Sequence, residues 1–258
     1  MTSVSTCKPK RCCEITVTRS SPPIRCRGLS VGYNEDPVLE NLSFTVGNGS
    51  TVALVGRSGC GKTTLLKTLA GILDPLDGEA TVLSTSLPQS PSPGELGYIP
   101  QSLGLVMHET VLTNVLHGRL SDLGRMRSLL GRFPADAKTD AREALERVGL
   151  DGYEQSRVKE LSGGQRRRVA IARAFVQEPR VLLADEMLSE LDGETAQSIV
   201  DCLITLQQET GMSVVIVEHN LEMAKDISDT VLRLGAGGIE DRIESESACE
   251  PVPRQSHE

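Results

Sequence analysis

The sequence predicts an α/β fold built on a mainly parallel sheet, and three observations carry that prediction. Short apolar runs rich in Val, Leu, Ile and Ala, at Ser50–Val55, Val181–Asp185 and Ser213–Glu218, lack the polar alternation of a half-exposed strand and read as strands buried on both faces. Helical stretches alternate with these strands, as crossover connections between parallel strands require. The chain of 258 residues has no Trp and only three Phe and three Tyr, so its core must be aliphatic, which suits such a sheet.

The elements follow in order. After a basic tail over residues 1–23, Ile24–Val31 and Leu42–Val46 alternate enough for antiparallel strands and predict an N-terminal antiparallel β subdomain. Ser50–Val55 runs straight into a glycine-rich loop. Lys62–Ala70 follows as a helix closed by Gly71. Leu83–Gly94 is rich in Ser and Pro and reads as a surface loop. Leu96–Pro100 is a short strand ending at Gln101. Residues 102–160 show no β pattern. Helical stretches at Val111–Arg119, Asp122–Leu130 and Asp136–Val148 make this block a helical insert. Alternation then returns: helix Gly163–Gln177, strand Val181–Asp185, helix Glu194–Thr210, strand Ser213–Glu218, helix Leu221–Ile227 and a last strand Val231–Leu234. Residues 239–258 read as an acidic, flexible tail. One domain over 24–238 accommodates all of this.

Composition narrows the function classes. The formal charge is −8 and no basic stripe dominates, which argues against nucleic acid as a partner. Apolar runs such as Val52–Val55 and Val214–Val217 are far too short to span a bilayer, and no apolar stretch follows the basic N-terminus as in a secretory signal. A soluble protein of the cytoplasm is expected. Its seven cysteines (Cys7, Cys12, Cys13, Cys26, Cys60, Cys202, Cys249) lack paired metal-ligand spacing and read as reduced thiols.

Two segments carry the chemistry. Gly56-Arg57-Ser58-Gly59-Cys60-Gly61-Lys62-Thr63 has the spacing of a phosphate loop, lying after a strand and before a helix as that motif requires. Its backbone N–H groups can curl around a triphosphate at a helix N-terminus, Lys62 can reach the β- and γ-phosphates, and the Thr63 hydroxyl can bind Mg²⁺. Thr64 extends the same helix start. Arg180–Glu186 is an apolar strand ending in two acids: Asp185 sits where a Mg²⁺ shell needs a carboxylate, and Glu186 can polarise an attacking water.

With Leu161-Ser162-Gly163-Gly164-Gln165 added, the chain resembles the nucleotide-binding subunit of an ATP-binding cassette (ABC) transporter over roughly residues 24–238, with the family's motifs in the family's order. The resemblance implies a P-loop ATPase cassette using ATP and Mg²⁺. Ser162, Gly163, Gly164 and Gln165 match the signature motif without a change. They are then expected to grip the γ-phosphate of a nucleotide held by the opposite subunit. Gln101 matches the Q-loop glutamine, a ligand of Mg²⁺ and of the lytic water. His219 matches the switch histidine that meets the γ-phosphate, and Tyr33 the aromatic that stacks on adenine. Ser189-Glu190-Leu191-Asp192 resembles the D-loop, whose Asp crosses the dimer interface. Two positions depart from the pattern. Met187 replaces a common proline, and Glu190 stands where a small residue is usual.

The helical insert bears on cargo. Asn114–Leu120, Arg127–Pro134 and Ala144–Leu150 resemble the phosphonate-import ATPase group, which implies uptake of phosphonate or a phosphate ester. Import of phosphate, a metal chelate or an amino acid is the alternative. A non-transport ATPase of the same superfamily, acting on DNA or ribosomes, is a rival that the compact insert and single cassette disfavour. The resemblance further implies a head-to-tail homodimer, membrane permease subunits, an indirectly engaged substrate-binding protein, and a peripheral place on the cytoplasmic face of the membrane.

Overall fold

The structure is a computed structural model that describes residues 21–122, 133–189 and 191–244. Two sheets share the strands. Four strands, β1 (Ile24–Tyr33), β2 (Asp36–Val46), β4 (Asp77–Val82) and β5 (Thr85–Ser86), form an antiparallel sheet in the order β2-β1-β4-β5. The second sheet has the order β10-β9-β3-β8-β7-β6, with β3 at Thr51–Gly56, β6 at Leu96–Ile99, β7 at Val181–Asp185, β8 at Ser213–Glu218, β9 at Thr230–Gly235 and β10 at Gly238–Glu244. Pairings β9–β3, β3–β8, β8–β7 and β7–β6 are all parallel; only the edge strand β10 is antiparallel.

The aliphatic runs behave as a doubly covered sheet should. Along β8, Val214 and Ile216 face one core while Val215 and Val217 face the other, and along β7 Leu182 and Ala184 oppose Val181 and Leu183. One core joins the sheet to the helices: α2 (Val111–Leu116), α3 (Ala135–Arg147), α4 (Gly163–Phe175) and α5 (Gly193–Thr210). The other joins its opposite face to α1 (Lys62–Leu69) and to the antiparallel sheet. The crossover from β8 to β9 is made by α6 (Leu221–Ile227).

Three expectations need correction. Residues 83–94 are not simply a surface loop: Leu83 is buried and Thr85–Ser86 pair with Thr81–Val82, because an apolar anchor and a tight reversal extend the antiparallel sheet. The acidic tail does not begin at 239, since Gly238–Glu244 form β10 on β9. The strand Asp77–Val82 had no counterpart in the sequence reading; only Ala80 and Val82 are buried along it, too short an alternation to register. In the helical block α2 stops at Leu116 and passes into a 3₁₀ stretch, His117–Asp122. The expected helix Asp122–Leu130 lies almost wholly outside the described residues, as do Glu190, residues 1–20 and residues 245–258.

Candidate nucleotide site

Parallel pairing decides where the chemistry gathers. Since β3, β6, β7 and β8 run the same way, their carboxyl ends share one edge of the sheet, the edge at which ligands bind in open α/β folds. From those four ends come the phosphate loop, Gln101, Asp185 with Glu186, and His219. A cleft of about 1040 Å³ opens beside them, lined by Gly56–Cys60 and His219.

The phosphate loop is shaped by its glycines. Gly59 has φ 80 and Gly61 φ 105, left-handed conformations that cost a residue with a Cβ about 1–2 kcal/mol. Gly61 is the residue before α1, and a Cβ there would also press on Leu39 Cγ at 2.8 Å. A Cβ on Gly59 would meet no atom beyond its chain neighbours within 4 Å, so the tip of the loop has open space beside it. Lys62 is only 4% exposed; its ammonium donates to the carbonyls of Gly56 at 2.9 Å and Arg57 at 3.1 Å. A buried cation is thus held across the mouth of the loop by two neutral acceptors, an arrangement that an anion can displace.

Asp185, 1% exposed, accepts a hydrogen bond on Oδ1 from the Thr63 hydroxyl at 3.1 Å. Burial raises its pKa above the ordinary carboxylate value, Glu186 adds to the rise, and the Thr63 bond with Lys67 and Lys62 opposes it. Glu186 follows with φ 50, an unusual backbone state for a residue with a side chain and one that stores strain of about 1–2 kcal/mol. The turn aims its carboxyl at two partners: Gln101 Nε2 donates to Oε2 at 2.7 Å, and His219 Nε2 lies 2.7 Å from Oε1. The structure therefore brings Lys62, Thr63, Gln101, Asp185, Glu186 and His219 together.

The remaining site residues stand apart from this group. Ser162 and Gln165 form a capping box at the start of α4: Ser162 Oγ accepts from the Gln165 N–H at 3.2 Å, and Gln165 Oε1 accepts from the Ser162 N–H at 2.9 Å. Gly163 and Gly164 supply the first two N–H groups of the helix, which no intrahelical carbonyl can reach. Asp192 caps α5, accepting from the Thr195 N–H at 2.9 Å, and that bond holds its carboxyl below the usual range. Tyr33 ends β1 and is 45% exposed.

Sequence reasoning passed over two kinds of residue. Glu218, 4% exposed at the end of β8, has its Oε1 buried without a hydrogen-bond partner, and burial pushes its pKa up to about 7. Its signal was weak: an acid closing an apolar strand, immediately before His219. Arg167 and Arg173 on α4 gave no signal, because their partners are backbone carbonyls far along the chain.

A parallel sheet with a glycine loop at the end of β3 and an acid at the end of β7 defines the class, a P-loop nucleotide-binding protein. Comparison with known proteins narrows it. Residues 39–189 match the family profile described as ABC transporter. The chain is 40% identical to a phosphonates import ATP-binding protein of Natronomonas pharaonis, over 82% of this chain and 89% of that protein. It is 35% identical to a hypophosphite import ATP-binding protein of Stutzerimonas stutzeri, over 84% of this chain and 65% of that protein. Among solved structures, an ATP-binding cassette captured as a dimer with ADP and Pi superposes with a TM-score of 0.75 at 26% identity, covering 86% of this chain and 99% of that one. The chain belongs to the ABC transporter family, and its site is that of a nucleotide-binding ATPase.

Proposed function

We propose that this chain is the ATP-hydrolysing subunit of an importer for phosphonates or related phosphorus oxyanions, working as a head-to-tail homodimer beneath membrane permease subunits and served by a substrate-binding protein. The similarity to phosphonate-import and hypophosphite-import ATP-binding proteins carries the cargo reading. The dimer reading is supported by a division in the site: one group of motif residues is already joined, while among the described residues Ser162–Gln165 makes its side-chain bonds within itself.

The residues fit Mg²⁺. Thr63 and Asp185 offer two hard oxygen donors 3.1 Å apart, and a buried carboxylate whose ionisation is disfavoured by burial gains from a cation. Gln101 would add its amide oxygen. When bound, the ion would neutralise charge on the phosphates.

In the reaction we infer, the phosphate loop N–H groups and Lys62 seat the triphosphate, with Lys62 exchanging the Gly56 and Arg57 carbonyls for phosphate oxygens. Tyr33 stacks on adenine. Glu186 accepts the proton of the water that attacks the γ-phosphorus, ADP leaves, and His219 with Lys62 stabilises the charge developing on the transferred group. Gln101 orients the water through the side of Glu186 it already holds. Ser162 and the N–H groups of Gly163 and Gly164 close over the partner's γ-phosphate, and Asp192 lies at the interface between the copies.

Cargo is tested in reconstituted transporter. Hydrolysis by this chain should be stimulated by binding protein loaded with a phosphonate, a phosphate ester or hypophosphite. Stimulation by a metal chelate or an amino acid alone would overturn the phosphorus reading.

A further inference from the structure

Helix α4 is tethered to both catalytic loops of its own chain. Arg167, in its second turn, donates through Nε to the carbonyl of Met187 and through Nη2 to that of Ser189. Arg173, farther along, donates through Nη2 to Leu103 O at 2.6 Å and through Nη1 to Gly104 O at 2.5 Å. One pair of carbonyls lies one and three residues after Glu186, and the other two and three residues after Gln101. Glu186 and Gln101 are themselves joined at 2.7 Å. The contacts thus close a circuit: Gln101 to Glu186, along the backbone to Ser189, across Arg167 into α4, out through Arg173 to Gly104, and back to Gln101.

The geometry of a helix makes this circuit mechanical. Six residues separate the two arginines, so they leave the helix ~9 Å apart along its axis and about 240° apart around it. A rod held from two sides can neither roll nor slide without dragging a loop. Its grip on the helical insert is equally close: a Cβ on Gly118 would fall 2.2 Å from the carbonyl of Arg173. Burial lowers the pKa of Arg173 from the usual guanidinium value, and the carbonyls of Leu103 and Gly104 compensate its buried charge. The residues that open this same helix are Gly163 and Gly164, just after Ser162.

We propose that Arg167 and Arg173 are positioning residues that convert the seating of Ser162–Gln165 on a partner's nucleotide into the placement of Glu186 and Gln101 in their own chain. Each site of a dimer is then licensed by occupancy of the other. This rests on the ATP-hydrolysing dimer proposed above. Both arginines lie outside the phosphate loop and bind carbonyls of their own chain, so the affinity of that loop for nucleotide should not depend on them. Turnover and its cooperativity should.

The test uses the full chain and its Arg173→Lys, Arg173→Met and Arg167→Met variants. Nucleotide titration should give unchanged affinity, whereas kcat should fall roughly 10- to 100-fold through misplacement of the catalytic groups. The Hill coefficient for ATP should fall from about 2 towards 1, since the coupling between sites is cut. Wild-type kcat and Hill coefficient in all three variants would overturn the proposal. Hydrogen exchange in the Glu186→Gln background gives a readout independent of turnover and of variant folding. On ATP addition, amides of residues 102–105 and 187–189 should gain protection in step with 163–166, and in Arg173→Lys the first group should lag. Protection of 163–166 without any change at 102–105 and 187–189, with the arginines intact, sinks the coupling but leaves the ATPase reading standing. Absence of any hydrolysis by the unmutated chain, with no ATP-induced protection anywhere, sinks that reading first and this proposal with it.

Discussion

The two halves of the proposed nucleotide site differ in how they are finished. At the carboxyl edge of the sheet, side chains from β3, β6, β7 and β8 already meet: Thr63 bonds Asp185, and Gln101 and His219 each hold one oxygen of Glu186 at 2.7 Å. At the start of α4, the side chains of Ser162 and Gln165 bond, among the described residues, to each other's backbone. The first half is assembled by strand pairing around buried Lys62 and Asp185 and strained Glu186, with Gln101 and His219 on its exposed side. The second is assembled by a local capping box, and its helix N-terminus is left to meet an anion. The fold builds one half from residues far apart in sequence and the other from four in a row. That difference predicts opposite consequences for substitutions in the two places.

The largest effect should come from Glu186→Gln. Losing the proposed proton acceptor should lower kcat by about 10²–10⁴-fold, while ATP binding persists and a dimer accumulates on gel filtration with ATP. Hydrolysis at the wild-type rate would remove Glu186 from its role.

Next is the pH dependence stored in the buried half. Desolvation pushes Glu218 up from 4.5 to about 7, against the pull of the His219 and Leu188 backbone N–H groups. Below the unfolded value the carboxyl is protonated in both folded and unfolded chains and contributes no difference. As pH rises from about 4.5 to about 7 the unfolded chain ionises first, so stability falls, and above the folded value the penalty is complete at about 3 kcal/mol. Glu218→Gln should therefore gain on the wild type by about 3 kcal/mol across that window, read from urea midpoints at several pH values. Parallel midpoint curves for the two proteins would contradict this.

The smaller effects set two adjacent glycines of the signature loop against each other. A Cβ at Gly164 would meet Thr195 Cγ2 at 2.5 Å, whereas at Gly163 the nearest atom is an Arg167 guanidinium nitrogen at 3.6 Å. Gly164→Ala should lower stability by about 1–3 kcal/mol through overpacking. Gly163→Ala should leave the melting temperature unchanged or slightly raised, a helix interior preferring Ala by up to about 1 kcal/mol, and still depress ATPase activity by crowding the approach of the partner's phosphate. Equal melting temperatures for both variants would show that α5 yields at Thr195 and that this half is looser than its packing suggests.

Much of this protein was legible without coordinates. The phosphate loop, the strand before it and Ser162–Gln165 are local instructions: glycines where φ must be positive, apolar runs that only a doubly covered sheet can bury, a cap whose partners lie three residues apart. The strand β10 escaped because an edge strand is held by backbone bonds to β9 while its side chains stay polar, so Gly238–Glu244 reads like a tail. Glu218 and the two arginines escaped for another reason. Burial of an acid and donation to remote carbonyls leave no periodicity behind.

The amino-acid sequence alone determined which groups could do chemistry here, because residue type and local spacing set what a backbone can adopt and what a side chain can donate. Only the tertiary structure decided that Gln101 and His219 share the carboxylate of Glu186, and that α4 is bound to both loops beside it. The first of these comes from the parallel register of β6, β7 and β8, where Leu96 lies opposite Val181, 85 residues on, and Val181 opposite Ser213, 32 residues further, and no local rule specifies that register.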